Sequence, residues 1–171
     1  MNLVLIGMPG AGKSRLGRIL SKKLGMEFID TDRIIREREG DISEIFLNKG
    51  EEYFRNAETE AVEIAVKEDR RVISTGGGTV LKEYNMALLK ENAVTAYLKA
   101  SKETIVKRTA NSSRPLVKGD AEKNVETLLA VRTPLYEKYA DVTVDADTDD
   151  LHKKSEEIAN YFKKALKRAK V

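Results

Sequence analysis

An α/β fold, with a five-stranded parallel sheet between helices, is what this sequence predicts, on three observations. Short β-rich apolar runs alternate along the chain with stretches of helical periodicity, the pattern of βαβ units. The first of these runs ends at once in a glycine-rich turn, Gly7-Met8-Pro9-Gly10-Ala11-Gly12-Lys13-Ser14, and a helix pattern follows directly. The second run ends in Asp30-Thr31-Asp32, and the carboxyl ends of strands are where parallel α/β sheets bind their ligands.

The first strand is Asn2-Leu3-Val4-Leu5-Ile6. The turn after it reads G-x-x-x-x-G-K-S, the phosphate-binding loop pattern. Glycines let backbone N–H groups close on a polyphosphate with no Cβ in the way, and the following helix N-terminus favours anions. Gly10, Ala11, Gly12, Lys13, Ser14 and Arg15 are therefore candidate ligands of a nucleotide's phosphates. Lys13 has the length to reach the β- and γ-phosphates, and the Ser14 hydroxyl is a hard oxygen suited to Mg2+. Arg15 to Leu24 is predicted helical from Leu16, Ile19, Leu20 and Leu24.

Met26 to Asp30 is the second strand, and a helix follows through Ile34 and Ile35. Asp30 and Asp32 are placed for site chemistry, although Thr31 and Asp32 are also fit N-caps for that helix. Ile42 to Lys67 reads as helix with a break near Gly50. Arg55 and Glu58, three apart, share a face of it. Spacing alone makes them an exposed ion pair, worth under about 1 kcal/mol. Arg71 to Thr75 is the third strand, closed by Gly76-Gly77-Gly78, whose N–H groups a ligand can approach closely. No carboxylate ends that strand, so acidic magnesium duty falls to Asp30.

Tyr84 to Glu91 is predicted helical, Ala93 to Leu98 is the fourth strand, and Lys102 to Ala110 is a helix carrying Arg108. Asn111 to Asp120 is polar and punctuated by Gly and Pro, hence a loop. Such loops close over phosphates in kinases, and Arg114 stands where a lid supplies positive charge. Ala121 to about Tyr139 is a helix, with a kink or break expected at Pro134 just after Arg132. Val142 to Val144 is the fifth strand, and Asp150 to Lys170 is an amphipathic helix with Ile158, Phe162 and Leu166 inward. The sole histidine, His152, is expected at the surface.

Length and composition bound the function. A chain of 171 residues favours one domain with a real core, here 1–171. A net charge of +3, with basic and acidic residues interspersed, argues against a dedicated nucleic-acid binder. Without cysteine there is neither disulfide nor thiolate chemistry. No apolar run approaches the roughly 18 residues of a membrane span, so no membrane association is expected. The opening apolar run leads into the phosphate loop rather than a cleavage site, so a cytoplasmic location is expected.

The set Gly7-x-x-Gly10-x-Gly12-Lys13-Ser14, Asp30-x-Asp32, Gly50-Glu51-x-x-Phe54-Arg55-x-x-Glu58, Gly76-Gly77-Gly78, Arg114-Pro115-Leu116 and Arg132-x-x-x-Tyr136-x-x-x-Ala140-Asp141 resembles the shikimate kinase family. Order and spacing agree from Leu3 to about Val144. The resemblance implies a P-loop kinase fold of the nucleoside monophosphate kinase type. It has a mobile lid, about 110–123 here, and a substrate-binding helical region, about 31–67. It implies phosphorylation of the 3-hydroxyl of shikimate by ATP with Mg2+, in the route to aromatic amino acids, by a monomer acting on a small molecule. On it, Asp32 contacts substrate hydroxyls and takes the proton, Arg55 and Arg132 hold the carboxylate, and the Gly76–Gly78 turn, chiefly Gly77, contacts substrate. Catalysis falls to Asp32, Lys13 and Arg114, the metal to Ser14 and Asp30, and Arg108 lies near the adenine. Two departures stand out. Arg15 replaces a customary small Thr or Ser, and the adenine-side segment Asp145 to Asp150 is acidic with no evident basic contact. The competing readings are another small-molecule P-loop kinase, for gluconate or a nucleotide, and a non-catalytic ATP-binding regulatory module. A nucleotide acceptor gives no reason for two arginines beside an aspartate, and a regulatory module predicts loss of Asp32 or of a carboxylate-binding arginine, all of which are present.

Overall fold

A computed structural model describes residues 1–110 and 120–169 of the chain. Its strands are β1 (Asn2–Ile6), β2 (Glu27–Asp30), β3 (Arg71–Ser74), β4 (Ala93–Lys99) and β5 (Val142–Asp145). They form one sheet in the order β2-β3-β1-β4-β5, and every pairing in it is parallel. The helices are α1 (Lys13–Leu24), α2 (Thr31–Glu39), α3 (Ile42–Ala65), α4 (Glu83–Lys90), α5 (Lys102–Thr109), α6 (Ala121–Tyr139) and α7 (Leu151–Arg168). A 3-10 turn at Thr79–Leu81, absent from the sequence expectation, leads into α4.

β1 lies in the middle of the sheet with helices on both faces, which is why it is apolar without alternation. Leu3, Val4, Leu5 and Ile6 are all fully buried there. The main core gathers around them from every strand and from α1, α4, α6 and α7, with Ile158 and Phe162 buried and Leu166 packed at its margin. His152 is exposed, as expected. Among the described residues no helix is long and apolar enough to cross a membrane.

α2 and α3 build a smaller core of their own from Ile35, Ile45, Phe54, Ala57 and Ala61. Gly50 leaves the helical region inside α3, with φ 85° and ψ 173°, so the break falls where the glycine predicted it. Across that break Phe46 packs on Phe54 with ring centroids 4.6 Å apart. Tyr53 and Lys49 both donate to Glu39 at the end of α2, at 2.7 and 3.3 Å.

Three expectations need correction. Pro134 does not break α6, which runs unbroken from Ala121 to Tyr139. Buried Arg132 and Tyr136 on either side anchor the helix, and that packing outweighs one lost backbone bond. The expected lid overlaps the start of α6: Asp120 caps that helix by accepting from the Lys123 N–H, so 121–123 are helical. The rest of the expected lid, with Arg114, lies outside the described residues. Finally, Arg55 and Glu58 are no exposed pair: their side chains are only 17% and 1% exposed.

Candidate active site

The phosphate loop runs from β1 into α1 along the sheet's carboxyl edge. Gly7, Gly10 and Gly12 have φ of 144°, 84° and 92°, which side-chain-bearing residues rarely adopt. The left-handed Gly12 starts α1, which has no side-chain cap and no acidic residue in its first turn. Its leading N–H groups are thus left for an anionic ligand. The Lys13 ammonium curls over the loop and donates to the Gly7 and Met8 carbonyls at 2.8 and 2.9 Å.

Next to the loop stands a small set of hard oxygens. Ser14 donates its hydroxyl proton to Asp30 Oδ2 at 2.5 Å, and the Ser74 hydroxyl lies 3.3 Å from Ser14 Oγ. The sheet order explains the meeting, because β3 lies between β1 and β2 and brings its terminal serine to both. Asp30 also caps α2: its Oδ1 accepts from the Arg33 N–H at 3.2 Å. The cap is therefore Asp30 rather than Thr31 or Asp32. Thr31 instead accepts from the Gly76 N–H at 3.1 Å and ties α2 to the turn after β3. The donor chemistry fits Mg2+, which takes one or two protein oxygens and leaves its other positions to phosphate and water. Among the described residues no cluster of three or more His, Cys, Asp or Glu offers an all-protein cage. Lys13, Ser14, Asp30 and Asp32, with Gly10, Gly12, Arg15 and Arg108, line one cavity of about 280 Å³.

A second group of residues faces Asp32 across the turn after β3. A Cβ on Gly76 would fall 2.8 Å from Glu58 Oε1 and 2.9 Å from Asp32 Oδ1, so two carboxylates flank this glycine. A Cβ on Gly77 would collide with Pro9 of the phosphate loop at 2.5 Å, and one on Gly78 would overlap the Arg55 guanidinium. The Gly76–Gly78 turn is therefore pressed against both halves of the site. Glu58 Oε2 accepts from Arg55 Nη1 at 3.0 Å, and Oε1 accepts from the Thr79 hydroxyl at 2.9 Å. Burial pushes the Glu58 carboxyl above its ordinary value, while Arg55 and Thr79 oppose that by stabilising the anion.

Arg132 is the most telling residue. It is 2% exposed, yet its Nε and Nη1 have no hydrogen-bond partner among the described residues. Burial pulls its guanidinium below the ordinary value, and the nearby Arg55 charge adds to that; Tyr136 and Glu58 act the other way. An arginine keeps its proton in such a place, so two guanidinium groups share a buried corner and want an anion.

A further cavity of about 270 Å³ continues from the loop past Ala11 and Arg15 to Arg108, Thr148, Asp149, Leu151 and Lys154. Arg108 Nη1 donates to the Ala146 carbonyl at 3.0 Å, and Arg108 pairs with Asp149 at 3.4 Å. Buried Lys154 donates to the Thr148 carbonyl. The acidic segment thus does have basic neighbours. Lys154 was hidden in a lysine-rich helix that reads as a solvated face, and only its place one turn inside α7 could have singled it out. Tyr136, Glu58 and Ser74 were the other residues whose part the sequence left unread. The sequence-predicted residues therefore fall into the cavity at the phosphate loop, the corner around Arg55 and Arg132, and the cavity that runs on to Lys154, with Arg114 outside the described residues.

The chain is similar to known proteins over nearly its whole length. A family model described as shikimate kinase matches residues 9–167. A shikimate kinase from Thioalkalivibrio sulfidiphilus is 42% identical over 165 residues, covering 95% of this chain and 87% of the relative. One from Moorella thermoacetica is 41% identical over 168 residues, covering 97% and 94%. Among solved structures, shikimate kinase from Acinetobacter baumannii in complex with shikimate superposes with a TM-score of 0.88 at 33% identity, covering 92% of this chain and 89% of that one.

Proposed function

The chain belongs to the shikimate kinase family, and on that premise we propose how its residues divide the work of the reaction. It is an ATP-dependent kinase that moves the γ-phosphoryl group of ATP to the 3-hydroxyl of shikimate, giving shikimate 3-phosphate and ADP. Shikimate is a cyclic polyol with one carboxylate. Arg55 and Arg132 grip that carboxylate by charge-assisted hydrogen bonds, and Gly77 meets the ring beside them. The observation that carries this is the buried Arg132 fork with unmet donors at Nε and Nη1, next to a second guanidinium.

Asp32 stands between the acceptor corner and the phosphate cavity. It orients the 3-hydroxyl and accepts its proton as the O–P bond forms. Lys13 and the uncapped N–H groups of α1 take the charge that builds on the transferred group, the main demand of phosphoryl transfer. Ser14 and Asp30 would hold the magnesium ion, which would neutralise phosphate charge when bound. Arg108 lies against the base, Arg15 lies along the phosphates, and Arg114 brings lid charge from outside the described residues. The same reading has the protein act as a cytoplasmic monomer.

Two expected results test parts of this division. Asp30→Asn should raise the Mg2+ concentration for half-maximal rate by about tenfold, measured by titrating Mg2+ at fixed ATP. Asparagine caps helices as well as aspartate does, so the start of α2 should hold and the melting temperature should barely move. Gly78→Ala drives a methyl into the Arg55 guanidinium and should raise the KM for shikimate by about tenfold while sparing the KM for ATP. The function itself is tested by coupled ADP release with shikimate, gluconate, AMP and CMP side by side. Shikimate alone should stimulate release; a response to gluconate or a nucleotide instead would move the chain to a neighbouring kinase activity.

A further inference from the structure

One hydroxyl joins the two parts of the acceptor corner. Tyr136, on α6, is fully buried, and its Oη donates to the Gly77 carbonyl at 2.5 Å, across 59 residues of chain. Its ring stacks on Tyr97 of β4 with centroids 5.0 Å apart, which fixes the direction of the hydroxyl. A phenol has one proton, and here it is committed to Gly77. Burial also pushes the phenol well above its ordinary range, so the donor is retained throughout the working pH range. Arg132 lies one helical turn back on the same helix and is buried beside it, so the hydroxyl's dipole favours the charged guanidinium. Glu58 is a competing partner within electrostatic reach of the same guanidinium.

We infer that Tyr136 is a positioning residue for the acceptor carboxylate: its hydroxyl ties the turn after β3 to Arg132, so both are set before the acceptor arrives. The inference rests on the reading of Arg132 as a carboxylate ligand. Without the hydroxyl, the Gly77 carbonyl is buried with no donor, and Arg132 is drawn toward Glu58 and away from the carboxylate. Preset geometry shows in substrate binding more than in turnover at saturation, which separates this role from simple packing.

The test is steady-state kinetics on Tyr136→Phe, with Tyr97→Phe as a control that keeps the stack. Tyr136→Phe should raise the KM for shikimate about tenfold, through one lost hydrogen bond to a charged group, and leave the KM for ATP and kcat within about twofold. Tyr97→Phe should leave all three within about twofold. In an Arg132→Ala background the same Tyr136→Phe change should cost less than about twofold, because the residue acts through Arg132. An unchanged shikimate KM in Tyr136→Phe, an equal loss in Tyr97→Phe, or an undiminished cost in the double variant would each overturn the inference. Wild-type protein that released no ADP with shikimate would overturn the acceptor-site reading, and this inference with it.

Discussion

Asp32→Asn is expected to lower kcat by about 10²–10⁴-fold, the usual worth of a positioned general base, with the KM for ATP nearly unchanged. The substitution keeps shape and removes only the charge and the basic oxygen. Asp32 lines the phosphate cavity with Lys13, Ser14 and Asp30. Its Oδ1 also lies beside the Gly76 turn, opposite Glu58, so it is the carboxylate common to both halves of the site. Glu58 does not stand in for it, because Arg55 and Thr79 hold it outside the lining of the phosphate cavity. Single-turnover ADP formation at saturating shikimate reads the chemical step directly. A variant with wild-type turnover would remove the proton-acceptor role from Asp32.

Arg132→Ala is expected to raise the KM for shikimate by about 10²-fold, the equivalent of roughly 3 kcal/mol for a charge-assisted, forked contact. The loss should fall on shikimate alone, since Arg132 belongs to the buried corner with Arg55 and Tyr136 and not to the cavity lined by the phosphate loop. Arg132→Lys should recover only part of it, because an ammonium lacks the planar fork. Steady-state KM values for both substrates, with calorimetric titration of shikimate, measure the effect. An unchanged shikimate affinity would mean that the carboxylate sits elsewhere.

How much of this was legible beforehand varied with the range of the interaction. The phosphate loop, α1 and the Gly50 break were readable because glycine conformation and periodicity are local matters. The fate of Pro134 was not, since α6 stays unbroken around it through the burial of Arg132 and Tyr136, and Tyr136 bonds to Gly77 in a distant part of the chain. Glu58 looked like half of a surface pair because spacing shows a shared helix face but not what covers it; the turn after β3 covers it. Ser74 could be placed at a strand end, but its meeting with Ser14 and Asp30 depends on the strand order, which no local pattern encodes. Asp32, Arg55, Arg132 and the glycine triplet were identified together only through the family's motif spacing, and the fold then gathers them around one turn.

The claim on which the account depends is that two guanidinium groups, buried Arg132 and half-buried Arg55, fix the acceptor by its carboxylate, opposite a phosphate loop. Comparing kcat/KM for shikimate with that for its uncharged methyl ester, in the same ADP-release assay, tests it most directly. The account predicts that the ester is poorer by about 10²-fold or more, with most of the difference in KM. Equal values for acid and ester would contradict it.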